Sequence, residues 1–437
     1  MTNQYFVAVV GAGPAGLFGA RELANQGTRV VVFNRDIKPG GLAEYGIYPS
    51  KHTMKSGLRK QFRQVLNLPN LDYFGNVTIG EQSGLSLGDL RALGFQSILV
   101  TAGAQGTKWL GLPGENLVGV YHAKDVVYHY NQLPPYSQKP FRFGKRCAVI
   151  GAGNVMIDIV HYLIREEKVD EVIAIVRRGP AEVKFDKKEM EYVIANLDRT
   201  ALDAEIQRVT PIMQAVNQDP ATAHASIMEA LPKGLTKVSD TKFRFEFLAS
   251  PVQMLGDTNG NLTQVEIEDN TLIQKDGDTK ARGTGNKRRL EVETVVFAIG
   301  DKVDESFGLP VEWNEFIKSE NPRYPIDGNS FETPFEDIFV GGWSRKASSG
   351  LVGYARKDGT NASKAVWQYL QTKQPMEVNM DAVLEKLRSL GKPIVMKDDV
   401  KKLEAAETAE AQKRGLEAFK FNSNEEMLQA MGFMETA

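Results

Sequence analysis

Two stretches of the sequence join a short apolar run to a turn rich in glycine. In the first, Gly11, Gly13 and Gly16 follow the run FVAVV; in the second, Gly151 and Gly153 follow the run CAVI. A glycine turn between a strand and a helix leaves backbone N–H groups and the positive end of the helix dipole available to phosphate. The two stretches therefore predict two dinucleotide sites.

The first turn has the complete Gly-x-Gly-x-x-Gly pattern. Gly11 permits a tight turn, Gly13 lets a pyrophosphate approach the backbone, and Gly16 lets the helix pack closely on the strand. The pattern lies inside a strand–turn–helix–strand unit, residues 5–36, which makes it much more specific than the spacing alone. A tight turn that binds no ligand is the alternative.

The residue expected to bind a ribose is changed after the second strand of this unit. An acid is typical there, because its carboxylate accepts two hydrogen bonds from a ribose diol. Asn34 stands 23 residues after Gly11 and offers one acceptor and two donors. We expect dinucleotide binding with an altered ribose contact, and Asp36 is a weaker alternative acceptor.

The second turn departs from the pattern at its third glycine, where Met156 stands. A large side chain there predicts either a wider spacing of helix and strand or smaller side chains opposite. Arg177 and Arg178 follow the next apolar strand, 26 residues after Gly151. Arginine at the place of the acid favours a 2′-phosphate, so NADP is predicted over NAD.

The elements around the turns predict an α/β protein. Residues 5–36 and 145–179 each read as a βαβ unit, and further strands that end in turns are expected within residues 97–106, 290–301 and 337–370. The dipeptide Asn259-Gly260 predicts a hairpin turn in the second half. The charged tail after Val378 is expected to form surface helices.

The composition excludes several classes of protein. The chain has 437 residues, net charge −2, 42% hydrophobic and 25% charged residues, which predicts two or three globular domains with no whole-chain attraction to nucleic acid or membranes. No apolar run approaches the roughly 18 residues of a membrane span. The amino terminus enters a strand almost at once, so no signal segment is expected.

The single cysteine, Cys147, excludes an internal disulfide, a redox dithiol and a cysteine-ligated iron–sulfur cluster. It stands in an apolar run, where a buried thiol is expected. A single thiol also suits a reducing compartment, so we expect a cytoplasmic protein.

Several motifs in this order resemble those of the adrenodoxin reductase-like family of ferredoxin–NADP reductases. They are VGAGPAGLFGA, GGLAEYGIYPSKHTMKSGLRKQF, YFGNVTIG, GAGNVMIDIV, VRRGPAEVKFDKKEM and GGWSRKASSGLV. The resemblance implies two Rossmann-like domains, with the NADP domain inserted in a split FAD domain. It places the FAD domain at residues 1–106 and 304–437, including a helical tail, and the NADP domain at residues 107–303.

The resemblance also implies the residues that contact the two cofactors. For FAD they are Gly11, Gly13, Ala15, Gly16, Asn34, Gly41, Leu42, Val77, Trp343, Gly350, Leu351 and Val352. For NADP they are Gly151, Gly153, Asn154, Val155, Arg177, Arg178 and Glu189, with Gly350 also directed to the nicotinamide. No catalytic side chain and no metal ligand is implied. Met156, and Ser50-Lys51 with His52 in the flavin loop, depart from the family pattern.

The activity implied by the resemblance is hydride transfer from NADPH to the flavin, followed by single-electron transfer to a ferredoxin-type iron–sulfur protein. The basic runs Lys187-Lys188 and Lys287–Arg289 are candidates for docking that protein. Two alternatives stay open. In the first, the chain is a flavin reductase that acts directly on an organic substrate or serves as a diaphorase subunit of a larger complex. In the second, it is a non-catalytic nucleotide-binding redox sensor.

Overall fold

The computed structural model describes residues 3–347 and 350–433, which fall into two units. The first unit is formed by Met1–Thr107, Tyr128–Gln138 and Gly300–Ala437, and the second by Lys108–Val127 and Lys139–Ile299.

The strands, in chain order, are Phe6–Val10 (β1), Arg29–Phe33 (β2), Leu71–Phe74 (β3), Ser97–Val100 (β4), Gly106–Thr107 (β5), Val120–His122 (β6), Arg146–Ile150 (β7), Glu171–Val176 (β8), Lys242–Phe247 (β9), Ala249–Gly256 (β10), Leu262–Lys275 (β11), Asp278–Glu291 (β12), Thr294–Phe297 (β13), Asp301–Lys302 (β14), Val311–Glu312 (β15), Glu315–Phe316 (β16) and Ile338–Val340 (β17).

The α-helices, in chain order, are Pro14–Asn25 (α1), Leu42–Tyr45 (α2), His52–Leu66 (α3), Leu87–Ala92 (α4), Ala123–Tyr130 (α5), Asn154–Tyr162 (α6), Lys187–Met190 (α7), Arg199–Gln214 (α8), Pro220–Met228 (α9), Val352–Leu370 (α10), Met380–Arg388 (α11), Lys397–Arg414 (α12) and Asn424–Ala430 (α13).

The first unit is built on a parallel sheet in the order β17-β4-β1-β2-β3. Every residue of β1 is buried, because apolar layers cover both faces of the sheet: Val7 and Val9 belong to one layer, Phe6 and Ala8 to the other. Parallel sheets covered on both faces have such continuous apolar strands. The predicted α/β fold is confirmed here.

The second unit repeats this plan with a parallel sheet in the order β6-β13-β7-β8-β9. A separate antiparallel sheet, β10-β11-β12, belongs to the same unit. The predicted turn at Asn259-Gly260 joins β10 to β11, and Gly260 has a φ of +77° there. Cys147 is fully buried in β7, as expected.

Residues 128–138 group with the first unit, although the sequence reading placed them in the NADP domain. The reason is that this segment packs on residues of the first unit. The Lys55 ammonium donates to the Asn131 side-chain oxygen at 2.7 Å, and Tyr128 and Leu133 pack with Tyr45. Side-chain contacts of this kind leave no periodic signal in the sequence.

The tail after Val378 is helical, as predicted, but it is more than a surface element. Val400, Leu403 and Met427 are buried in one core layer of the first unit. Among the described residues, none of the helices combines the length and the apolar character that crossing a bilayer requires.

Candidate dinucleotide sites

The first glycine turn connects β1 to α1, and two of its glycines are required by sterics. Gly11 has a φ of +107°, and a Cβ on it would lie 2.4 Å from the Thr101 carbonyl oxygen. A Cβ on Gly16 would lie 1.9 Å from the Gly11 carbonyl oxygen. Both contacts are with backbone atoms, so neither position accepts a side chain without rebuilding the turn.

Gly13 differs, because a Cβ on it would meet nothing within 4 Å. It stands at the N-cap of α1, and no side chain caps this helix. Pro14 has no N–H group, so the backbone N–H groups of Ala15 and Gly16 stay available at the positive end of the helix. Open space beside free N–H groups is what an anionic group such as a pyrophosphate requires.

The Asn34 amide is used within the chain. Its Oδ1 accepts from the Ala12 N–H at 3.0 Å, and its Nδ2 donates to the backbone carbonyls of Asp36 at 2.8 Å and Lys38 at 3.0 Å. The residue is only 7% exposed. Asn34 therefore fastens the glycine turn to the loop after β2, and its contact with a ribose stays a prediction.

Several other predicted residues lie against this turn. A Cβ on Gly41 would be 3.0 Å from the Gly13 Cα, and Leu42 follows as the first residue of α2. Val77 is buried, and its N–H donates to the Asn34 carbonyl at 2.9 Å. The structure thus brings the predicted residues of the glycine turn together with Asn34, Gly41, Leu42 and Val77.

The remaining residues predicted for FAD reach the turn through their neighbours. Trp343 is half-buried, and a Cβ on the preceding Gly342 would lie 2.7 Å from the Ala15 Cβ. Gly350, Leu351 and Val352 stand at the start of α10, which no side chain caps. A Cβ on Gly359 in α10 would lie 2.0 Å from the Ala15 carbonyl oxygen, so α10 crosses α1 at this point. Ser348 and Ser349 of the same motif lie outside the described residues.

A cavity of about 220 Å³ lies beside these residues in the first unit. Arg35 and Asp36, which follow Asn34, and Asn76 and Thr78, which flank Val77, line it. A larger surface groove of about 550 Å³ runs between α3 and α12, and none of the predicted site residues lines it. The smaller cavity is therefore the one that lies at the predicted dinucleotide site.

The first unit also holds a buried cluster of charged side chains that the sequence reading missed. Glu44 is at its centre: Arg59 donates to both Glu44 oxygens at 2.6 and 2.7 Å, and Lys420 lies 3.1 Å from Oε1. Lys38 pairs with Glu44 and with Glu407. We call these five residues, with Lys55, the buried charge cluster.

The cluster shifts the pKa values of its members. Burial raises the pKa of the Glu44 carboxyl, but Lys38, Lys420 and Arg59 outweigh it and hold that pKa well below its usual range. Burial lowers the pKa of Lys420 to about 8 and that of Lys55 to about 6. Within the described part of the chain, Lys55 has no carboxylate at ion-pair distance, and its partner is the neutral Asn131 side chain.

Only part of this cluster has a signal in the sequence. Lys38 and Glu44 flank the Gly40-Gly41 turn, so the sequence indicates charged residues beside the first site. Glu407 and Lys420 stand more than 350 residues farther along the chain, and no spacing rule connects them with Lys38 or Glu44.

The second glycine turn connects β7 to α6. Gly151 has a φ of +151°, and a Cβ on it would lie 2.4 Å from the Ala298 carbonyl oxygen. A Cβ on Gly153, the N-cap of α6, would meet nothing within 4 Å, and no side chain caps the helix. Val155 in the first turn of the helix is 43% exposed. This turn therefore also offers open space at an uncapped helix start.

Met156 is fully buried at the place of the third glycine. It belongs to the inner face of α6 with Ile157, Ile159 and Val160. The second turn thus accommodates a large side chain at the position where the first turn excludes even a methyl group. Both a wider spacing of α6 and β7 and smaller side chains opposite Met156, the two alternatives predicted for this position, are compatible with its burial.

Arg177 and Arg178 directly follow β8, which pairs in parallel with β7. Since the carboxyl ends of neighbouring parallel strands lie at one edge of the sheet, the arginines and the glycine turn share that edge. Arg177 is exposed, and its guanidinium makes no hydrogen bond or ion pair within the described residues. Arg178 donates to the Thr279 carbonyl at 3.3 Å and lies 3.9 Å from Asp278.

The other predicted NADP contacts are also placed in the second unit. The Asn154 side chain and Asp186 form a reciprocal pair, with distances of 2.7 and 2.8 Å. Glu189 is half-buried on α7, a short helix that packs against α6. The structure therefore gathers the predicted residues of this site around one end of the sheet of the second unit.

Comparison with known proteins shows what the chain is similar to. The model of the family described as Pyridine nucleotide-disulphide oxidoreductase matches residues 5–213. The chain is 26% identical over 384 residues to "NADPH-ferredoxin reductase FprA" of Mycobacterium leprae, which covers 81% of each protein. It is 28% identical over 403 residues to the mitochondrial "NADPH:adrenodoxin oxidoreductase" of Arabidopsis thaliana, covering 80% of this chain and 81% of that protein.

The structure of Mycobacterium tuberculosis FprA in complex with NADPH superposes with a TM-score of 0.82 at 23% identity, covering 98% of this chain and 99% of that one. This likeness confirms the predicted two-Rossmann fold. The single cysteine excludes an internal redox disulfide, despite the name of the matching family model. Over about four fifths of its length the chain is therefore similar to the adrenodoxin reductase-like ferredoxin–NADP reductases, as its motifs indicated.

Proposed function

We propose that this chain is an FAD-dependent oxidoreductase that takes hydride from NADPH and passes single electrons to a ferredoxin-type iron–sulfur protein. The observation that carries the proposal is that each unit has an uncapped glycine turn at the carboxyl end of a central parallel strand. Relatives named for NADPH and for ferredoxin or adrenodoxin cover about four fifths of the chain, which supports it.

We assign FAD to the first unit, and the residues present fit that group. The open space at Gly13 and the free N–H groups of Ala15 and Gly16 suit a pyrophosphate. The cavity beside Asp36 and Asn76 offers room for the adenosine end. The contacts proposed for FAD are those predicted from the resemblance: Gly11, Gly13, Ala15, Gly16, Asn34, Gly41, Leu42, Val77, Trp343 and Gly350 to Val352.

We assign NADPH to the second unit. The uncapped start of α6 suits its pyrophosphate. The exposed Arg177, whose guanidinium has no partner in the described part of the chain, suits its 2′-phosphate, because a guanidinium binds phosphate through a planar pair of N–H donors. The proposed contacts are Gly151, Gly153, Asn154, Val155, Arg177, Arg178 and Glu189. The proposed NADP domain keeps the bounds predicted above, except that residues 128–138 group with the first unit.

The chain's contribution to the reaction is binding and orientation. When bound, FAD supplies the redox chemistry, since it accepts two electrons together and releases them one at a time. The helix starts hold the phosphates, the buried charge cluster keeps the loop of Gly41 and Leu42 in place, and no side chain is assigned a catalytic role.

The ferredoxin-type partner requires a basic surface, and the structure narrows the candidates in the second unit. Lys187 is paired with Glu229 at 2.7 Å, Arg288 with Asp269 at 2.9 Å and Arg289 with Glu266 at 3.2 Å. Lys188 and Lys287 stay exposed and without an ion pair among the described residues. Salt-dependent association that Lys188→Glu weakens would support docking at this surface.

The experiment that tests the proposed function uses the purified full chain. We expect a yellow protein whose flavin is reduced by NADPH faster than by NADH, and whose reduced form is reoxidised by ferredoxins in stopped-flow mixing. Reoxidation by quinone-like or other organic acceptors only would favour the direct reductase. A colourless protein that does not take up FAD would favour the redox sensor.

A location in the cytoplasm is also proposed, and it is supported by the lone cysteine. The chain has a single cysteine and so forms no internal disulfide, which suits a reducing compartment. Cell fractionation with an antibody to the chain tests this location.

A further inference from the structure

The segment Val183–Asp186 runs alongside the second glycine turn and is fastened to it at two points. The Lys184 N–H donates to the Ala152 carbonyl at 2.8 Å. Two residues on, the Asp186 N–H donates to the Asn154 Oδ1 at 2.8 Å, and the Asn154 Nδ2 donates to the Asp186 carboxylate at 2.7 Å. These three hydrogen bonds set the position of the Lys184 backbone relative to the start of α6.

The residues that follow Lys184 are held by other parts of the unit. The Phe185 ring stacks on Phe245, with ring centroids 6.0 Å apart and planes 22° apart, and Phe245 is only 2% exposed. Asp186 contacts Asn154 at the start of α6. The Lys184 backbone is hydrogen-bonded to Ala152 between the two glycines, so its side chain starts beside the glycine turn.

The charged side chains near the second glycine turn include carboxylates and one exposed lysine, Lys184. The Asp186 carboxylate lies at the start of α6 and would repel a phosphate bound there. Glu182, on the same segment, accepts from the Gln218 side chain. Lys184 is exposed, and its ammonium makes no ion pair or hydrogen bond with any described residue. It is a cation at the turn that the fold itself does not use.

We propose that Lys184 is a binding residue for the pyrophosphate of the dinucleotide in the second unit. This rests on the proposed function and deepens it by dividing the phosphates between two cations. Lys184 offsets Asp186 and binds the pyrophosphate common to NADP and NAD, whereas Arg177 at the end of β8 binds the 2′-phosphate that only NADP has. The four-carbon stem of lysine brings its ammonium from Ala152 to the first turn of α6.

The test compares Lys184→Ala with Arg177→Ala in the FAD-loaded full chain. Dissociation constants for NADP⁺ and NAD⁺ are measured by isothermal titration calorimetry at several salt concentrations. We expect Lys184→Ala to raise both constants by the same factor of about ten, since it removes one charge-assisted hydrogen bond. Arg177→Ala is expected to raise the constant for NADP⁺ alone. Lys184→Arg should restore most of the affinity for both nucleotides.

Lys233→Ala is the matched control, because Lys233 is also an exposed lysine of the second unit that makes no ion pair among the described residues. It should leave both constants unchanged, and all variants should keep the thermal midpoint of the parent. Unchanged constants in Lys184→Ala, or a loss for NADP⁺ alone, would overturn the inference. If the parent chain binds neither nucleotide, the proposed function of the second unit fails with it.

Discussion

The two glycine turns have similar backbones but different surroundings. Around the first, a Cβ on Gly11, Gly16, Gly41, Gly342 or Gly359 would come within 3.0 Å of another segment or of the turn itself. Around the second, Gly151 is the one glycine of the turn with such a contact, and Met156 fills the third position. The first turn is enclosed by segments from distant parts of the chain, and the second is open.

The charges near the two turns differ in the same way. Near the first, Lys38, Glu44 and Glu407 are buried and paired. Near the second, Arg177 and Lys184 are exposed and make no ion pair within the described residues. An enclosed site with its charges already paired suits a group that stays bound, while an open site with free cations suits a ligand that exchanges at each turnover. This difference agrees with the proposed FAD and NADPH sites.

The largest expected effect comes from a side chain at Gly16. A Cβ there lies 1.9 Å from a backbone oxygen, which has no rotamer by which to move away. Gly16→Met should therefore cost more than about 3 kcal/mol and leave little folded protein. Met156→Leu, at the same place in the second turn, should cost less than about 1.5 kcal/mol. Calorimetric unfolding of both variants measures the two losses of stability. Equal losses would contradict the difference between the two turns at this position.

The next effect comes from the buried charge cluster. Glu44→Gln keeps the shape but leaves Arg59, Lys38 and Lys420 without their shared carboxylate, which should cost about 3–5 kcal/mol in urea unfolding. Because the pKa of Glu44 is lowered in the folded state, its contribution is present above the unfolded pKa of about 4.5. This contribution of Glu44 is lost as the pH falls through the pKa that Glu44 has in the folded protein.

Glu410→Gln is the control for this variant, since Glu410 pairs with Lys413 and Arg414 on the exposed side of α12. It should change the stability little, because exposed pairs contribute little. A similar loss in both variants would mean that burial does not distinguish the charges of the first unit.

A smaller effect is expected from the two arginines of the second unit. Arg177→Ala should raise the KM for NADPH by about tenfold to a hundredfold with little change for NADH, since it removes a charged contact to the 2′-phosphate. Arg178→Ala should do less, because Arg178 is already engaged with Thr279 and Asp278. Steady-state kinetics with both nucleotides measures this, and equal losses for NADPH and NADH would contradict the assignment.

The smallest effect, taken per pH unit, is a pH dependence of the stability that comes from Lys55. Its pKa is about 6 when folded and about 10.4 when unfolded, so the unfolded chain binds more protons between these values. The stability of the parent should therefore rise with pH above about 6, by on the order of 1 kcal/mol per pH unit. Lys55→Met should flatten that slope in urea unfolding from pH 6 to 8, below the range in which Lys420, with a folded pKa of about 8, also contributes, whereas Lys184→Met should not.

Much of the fold was predictable because its signals are local. A glycine turn needs particular residues within six positions, and a buried parallel strand needs a short apolar run, so β1, α1, β7 and α6 were expected in their places. The arginines after β8 were also expected, since one βαβ unit determines where its second strand ends.

The two turns, the parallel strands and the difference between Asn34 and Arg177 at the ends of the second strands thus follow from the order of residues along the chain. Three features depend on how distant segments fold together: the Asn34 amide is used internally, Glu407 and Lys420 join the buried charge cluster, and residues 128–138 group with the first unit. The reason is that backbone sterics act between neighbours in the chain. Burial and pairing of charges depend on segments that meet only after folding, and no spacing rule records which ones will meet.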